Sequence, residues 1–169
     1  FRMTDDVLHH AVSAISDLIA NVGIINIDFG DVAIVLREPG DAMVGFGEAG
    51  GEAPASKAAR YAMSSPLLER TDIVGARQVL LAIAGGADLT MKDVQEAVQA
   101  VHNEIRGEAH VFFGVNQHNH LQGKATVTLI ATGLAEQKKK VERAKPLKAA
   151  SVLSTVQQEF DLLPADAGR

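Results

Sequence analysis

Residues 26 to 31 read Asn-Ile-Asp-Phe-Gly-Asp, which sets Asp28 and Asp31 three apart around a phenylalanine, directly ahead of a short apolar run, VAIVL. Carboxylates at this spacing have two uses. Asp28 can cap a helix that begins at Phe29, with Asp31 at its third position. The same pair can polarise an attacking water or hold a cation, provided a phosphate or a water comes within reach. The chain has no P-loop to cradle a phosphate. A substrate for these acids would therefore come from elsewhere, and capping and chemistry both remain open on local grounds.

Three other constellations could carry chemistry. Gly45-Phe-Gly47-Glu-Ala-Gly50 matches G-x-G-x-x-G, the dinucleotide fingerprint. A Rossmann half also requires further parallel strands and a suitably placed acid, whereas this chain closes on what reads as a hairpin. Glycines that permit a tight strand-to-helix turn explain the motif more simply. His118 and His120, two apart, would face the same way on an extended segment, and His110 could join them as a metal ligand. No carboxylate lies nearby in sequence to complete the set, so a polar hairpin loop is the simpler reading and no metal site is assigned. Lysines 138–140, 145 and 148 with Arg143 could meet an acidic partner or an anionic membrane, or form a solvated linker. No nucleophile elbow is present.

Composition narrows the classes. The chain has 169 residues and 47% hydrophobic content, enough for one ordinary domain with an appendage. It contains no cysteine, which excludes disulfides and thiolate metal sites and suits a cytoplasmic setting. The apolar run VLLAIA, residues 79–84, is far too short to span a membrane. Residues 1–133 carry 9 basic and 16 acidic groups, residues 134–169 carry 7 and 5, and only 4% of residues are aromatic. An acidic body poor in rings argues against nucleic-acid binding. The chain opens on Phe1 in a helical pattern, as though inside a longer protein.

The elements that must position these residues follow from periodicity. Val7, Leu8, Ala11, Val12, Ile15, Leu18, Ile19 and Val22 recur at spacings of three and four, which predicts a long amphipathic helix over 4–22, ended by Gly23. Asp31 to Arg37 reads as a short helix before Pro39-Gly40. A strand over 42–46 enters the glycine-rich turn, a helix covers 54–63, and 79–84 is a strand buried on both faces. Thr90 and Asp93 form a capping box for a helix whose inward stripe is Met91, Val94, Val98, Val101 and Ile105. Residues 110–115 and 124–132 are strands joined by NQHNHLQG, the second packing one face on helices. This order predicts an α+β fold: a four-stranded mixed sheet with two helices on one face, preceded by a long central helix.

The segments FRMTDDVL, NIDFGDV, AMVGFGEAGGE, AMSSPLLE, GARQVLLAIAGGADL and VTLIATG, in this order from Phe1 to about Leu134, resemble FtsZ, the bacterial tubulin-like division GTPase family. The resemblance implies a division of the chain into a central helix (1–22), a synergy loop with its short helix (23–38), a carboxy-terminal domain (39–134) and a basic variable linker (135–169). It implies that Phe1 and Asp5 contact the guanine of GTP. It implies that Asn26, Asp28 and Asp31 reach across to GTP on the next subunit and complete its hydrolysis site. GTP or GDP with Mg²⁺ would be bound mainly by an amino-terminal domain that this chain lacks, so turnover is expected only of the intact, assembled protein. The partners implied are further copies in a head-to-tail filament, and division proteins or membrane tethers through the tail, at a cytoplasmic division septum. The chain departs from the family where LAIAGG stands in place of an asparagine-bearing strand, at Gln78, at Ala53-Pro54 and at NQHNH. A non-catalytic FtsZ-like module that regulates filaments, and a dinucleotide-binding enzyme built on GFGEAG, are the alternatives.

Overall fold

The computed structural model of the chain describes residues 2–64, 73–134 and 147–148, and the side chains of the first helix from Asp5 onward. Phe1 and most of the basic tail, including the segment VLSTVQQEFDLL, lie outside the described residues. The elements run α1 (Arg2–Ala20), α2 (Phe29–Arg37), β1 (Asp41–Gly50), α3 (Pro54–Met63), β2 (Gln78–Gly85), α4 (Met91–Ile105), β3 (His110–Gln117), a 3₁₀ turn at Asn119–Leu121, β4 (Lys124–Leu134) and the two-residue β5 (Leu147–Lys148).

The sheet order is β3-β2-β4-β1-β5. β2 and β3 are parallel, while β4 is antiparallel to both β1 and β2, so the sheet is mixed. The fold is the expected four-stranded mixed sheet, extended at one edge where Leu147 and Lys148 pair with Ala42 and Asp41. Residues 110–115 and 124–132 do not form a hairpin. β4 inserts between β1 and β2 and leaves β3 at the far edge, because α4 carries the chain from β2 to a parallel neighbour. Parallel neighbours need such a crossover.

Strand alternation divides the core between two helical layers. Val79, Leu81 and Ile83 of β2 with Ala125, Val127, Leu129 and Ala131 of β4 pack under α3 and α4. Leu80, Ala82 and Ile130 point the other way, against Ala11, Ile15 and Leu18 of α1 and Val32, Val35 and Leu36 of α2. The sequence pattern gave β4 one packed face; in the structure both are covered, and Thr128 and Thr132 are buried with the rest. Thr132 is accommodated because its Oγ1 donates a 2.7 Å hydrogen bond to the Val35 carbonyl of α2. The Thr90–Asp93 capping box forms as expected. The inward stripe of α4 is Val94, Ala97, Val101 and Ile105, whereas Met91 at the first helical position is exposed.

The G-x-G-x-x-G segment is not a turn. β1 runs unbroken to Gly50, so Gly45 and Gly47 lie within the strand and present no phosphate loop. Gly47 serves packing, since a Cβ there would stand 2.0 Å from the Ala58 carbonyl oxygen and 2.6 Å from the Ala62 nitrogen. Ala55, Ala58, Ala59 and Ala62 are fully buried, and their small side chains let the α3 backbone settle directly on β1. Gly47→Ala is expected to lower stability by about 1–3 kcal/mol through forced displacement of α3. Gly107→Ala, where the nearest atom to an added Cβ is 3.8 Å away, should change it by no more than about 0.5 kcal/mol. Urea unfolding of the two variants checks the contrast.

Candidate functional site

The segment from Gly23 to Asp31 joins α1 to α2 and is held from three sides. Ile24 and Ile25 donate backbone hydrogen bonds of 2.8 and 3.2 Å to the Val115 carbonyl, and the Val115 N–H returns one of 2.8 Å to the Ile25 carbonyl. The loop thus adds a single antiparallel bridge to the exposed edge of β3. Ile27 is buried among the α1 and α2 side chains. The Asn26 Oδ1 accepts a 2.7 Å hydrogen bond from the Gly23 N–H and closes the turn on itself.

Gly23 was expected to end α1, but the helix stops at Ala20 and Gly23 does not adopt the positive φ of a glycine cap. Its requirement is spatial. A Cβ at Gly23 would fall 2.1 Å from Asn116 Oδ1 and 2.5 Å from the Val115 carbonyl oxygen. Asn116 is itself buried, and its Oδ1 has no hydrogen-bond partner. The support that Val115 gives the loop and the close approach of Asn116 to Gly23 carry no sequence signal, because they arise between segments about ninety residues apart in the chain.

Asp28 is the N-cap of α2. Its backbone is extended, and its Oδ1 accepts a 2.9 Å hydrogen bond from the Asp31 N–H. Asp31 occupies the first turn, so both carboxylates sit at the positive end of the α2 dipole. The far end of the helix is secured to the sheet by the Thr132 bond and by Glu38, which meets Arg77 at 3.5 Å. Asp28 and Asn26 are exposed and Asp31 is half-exposed. Beside them stand apolar side chains with no cover: Val22 is 96% exposed, Ile24 50% and Ile34 52%. Asp31 and Ile34 are three apart on α2 and share a helix face. The result is an outward-facing surface of two carboxylates and an amide among exposed aliphatic groups, on a rigid base.

The other sequence-derived residues lie elsewhere. Asp5 is exposed near the start of α1, and the fifteen helical steps from it to Ala20 put about 22 Å between them. His118 and His120 are neighbours, with ring centroids 5.4 Å apart, but His110 is at the opposite end of β3. Among the described residues no group of three or more histidines and acids is arranged to hold a metal ion.

This α+β domain, entered by a long helix through an acidic loop, has the architecture of a carboxy-terminal domain of the tubulin-like class. Residues 40–135 match the model of the FtsZ family, C-terminal domain. Cell division protein FtsZ from Magnetospirillum gryphiswaldense is 40% identical over 159 residues, covering 94% of this chain and 28% of the relative. Among solved structures, a mutant FtsZ of M. jannaschii superposes with a TM-score of 0.71 at 36% identity, over 79% of this chain and 40% of that one. An empty FtsZ dimer of M. jannaschii gives a TM-score of 0.71 at 32% identity, over 86% of this chain and 46% of that one. The chain belongs to the FtsZ family and covers less than half the length of each of these relatives.

Capping and presentation can be separated by substitution. Asp28→Ala should cost about 1 kcal/mol by removing the α2 cap, whereas Asp28→Asn, which can still accept from the Asp31 N–H, should cost little. Asp31→Asn should stay within about 0.5 kcal/mol of the unaltered chain. Urea unfolding curves of the three variants provide the measurement.

Proposed function

We propose that this chain is the carboxy-terminal part of a polymerising cell-division GTPase, and that its acidic loop completes the GTP hydrolysis site of an adjacent subunit. Asp28 and Asp31 polarise and orient the attacking water. Asn26, whose carbonyl oxygen is engaged by Gly23, turns its amide NH₂ toward the phosphates. Mg²⁺ arrives with the nucleotide, which is held by a domain outside this chain, so Asn26, Asp28 and Asp31 act on it without binding it themselves.

One observation carries the reading: the acids lie on an exposed, apolar-flanked surface at the opposite end of α1 from Asp5. If Asp5, with Phe1, holds the guanine of a chain's own nucleotide, roughly 22 Å of helix separates that base from the acids of the same chain. Acids so placed serve a different nucleotide. Val22 and Ile24 give an approaching copy an apolar surface to bury, and a head-to-tail contact of that kind propagates into a filament. The separation between the two ends of the molecule favours this over a non-catalytic module, which needs no carboxylates at the contact. A dinucleotide site on GFGEAG has no support, since those residues form a strand packed on α3.

The test uses this chain joined to its GTP-binding domain. Asp31→Ala is expected to reduce GTP hydrolysis by about 100-fold or more, in the range seen when a positioned acid–base group is removed, while GTP affinity stays nearly unchanged. Asp5→Ala is expected to weaken discrimination between GTP and ATP. Loss of GTP binding in step with turnover would remove the proposed role of Asp31, and unaltered base selectivity would remove that of Asp5.

A further inference from the structure

α1 lies across the sheet over an open groove of about 390 Å³. Its charged and titratable lining comes from α1 (His10 and Asp17), β1 (Glu48), β4 (Lys124) and the connection between β3 and β4 (His118 and His120), while β3 adds only Asn116. β2 contributes alanine and isoleucine surface. Lys124 meets Glu48 at 3.4 Å, which leaves Asp17 as the carboxylate without a lysine or arginine opposite it among the described residues. His118 Nε2 stands 4.0 Å from Asp17 Oδ2. The backbone beneath His118 is fixed, its N–H donating 2.9 Å to the Gly85 carbonyl and its own carbonyl accepting 3.0 Å from Leu121. Leu18, the next residue of α1 after Asp17, lies against Gly114 of β3, where an added Cβ would come within 2.8 Å of its Cδ2. At the other end of the groove, His10 stacks on Phe46 with centroids 4.3 Å apart and ring planes 10° from parallel.

We propose that Asp17 and His118 form an acid-strengthened latch that draws the last turns of α1 onto the β3–β4 connection. With a neutral imidazole the 4.0 Å approach is a weak polar contact. With an imidazolium it is an ion pair bridging a helix and a loop. Histidine is the side chain whose charge changes across the near-neutral range, so the same geometry gives two strengths of attachment. The sign is fixed by the partner: the added attraction belongs to the imidazolium–carboxylate pair and is absent with a neutral imidazole. Protonated His10 would act in the same direction by placing its cation on the face of Phe46. His120 acts against it, since a second imidazolium 5.4 Å from the first is repelled. Because α1 leads without a break into the loop that carries Asn26, Asp28 and Asp31, the latch also stiffens the entrance to that loop. The inference stands on the α1 contact alone and does not depend on the hydrolytic role of the acids.

A double-mutant cycle on the 169-residue chain reads the latch. Asp17→Asn, His118→Gln and the double variant are compared by urea unfolding at low salt, at about pH 5.5 and about pH 8. Both side chains are partly exposed, so the expected coupling is that of a surface pair, a change of about 1.5- to 5-fold in the folding equilibrium constant at the lower pH and none at the higher. His118→Lys, a permanent cation, should couple to Asp17 equally at both values, and His120→Gln, which removes the repelling imidazole, should preserve or strengthen the coupling. Absence of coupling at the lower pH, equal coupling of the native pair at both, or no coupling of Asp17 to Lys at position 118 would each overturn the proposal.

Discussion

β2 and β4 lie side by side in the middle of the sheet, and each is buried on both faces. That double burial is the constraint on which the rest of the structure depends. One set of alternate side chains must satisfy α3 and α4 and the other must satisfy α1 and α2, so the two helical layers are held in register by the same pair of strands. Neither face tolerates a shift of one residue, because a slip would exchange the two sets. The position of α1, and with it everything that follows Ala20, is therefore set by a core that α1 only half contributes.

The loop after α1 inherits this rigidity without being buried itself. It is tied by backbone hydrogen bonds to an edge strand, by Ile27 to the apolar layer, and by the Asp28 cap to the start of α2. A rigid support of this kind is what a functional constellation needs if its side chains are to meet a substrate that arrives from outside the molecule. Capping and presentation are compatible. Asp28 spends one carboxylate oxygen on the helix, and this fixes the backbone from which Asp31 projects.

Much of this was legible in the sequence because it is local or periodic. The apolar spacing of α1, the Thr90–Asp93 box, the continuous apolar run of β2 and the Asp28 cap each depend on residues within a few positions of one another. The strand pairing was not legible. Two strands joined by a polar, glycine-containing loop look like a hairpin, and nothing in residues 110–132 reveals that β2 claims a place on both. GFGEAG misled for a related reason: a glycine that opens a turn and a glycine that admits a helix backbone are the same letter, and Ala58 and Ala62 decide which is meant. Gly23 was assigned as a helix terminator on its position, whereas Asn116 supplies the actual reason for it. The second packed face of β4 was not legible either, because the burial of Thr132 depends on the Val35 carbonyl, far off in the chain, as its acceptor.

The sequence by itself determined the helices, the cap, the placement of Asn26, Asp28 and Asp31 at the start of α2, and the order of segments that marks the FtsZ family. These rest on side-chain types at short spacing, where backbone geometry alone decides what can meet. Only the tertiary structure decided that β4 lies between β1 and β2, that Val115 holds the acidic loop, and that Asp17 faces His118. Those are contacts between distant segments, and they exist because a sheet with two apolar faces can be covered only by bringing both helical layers onto it.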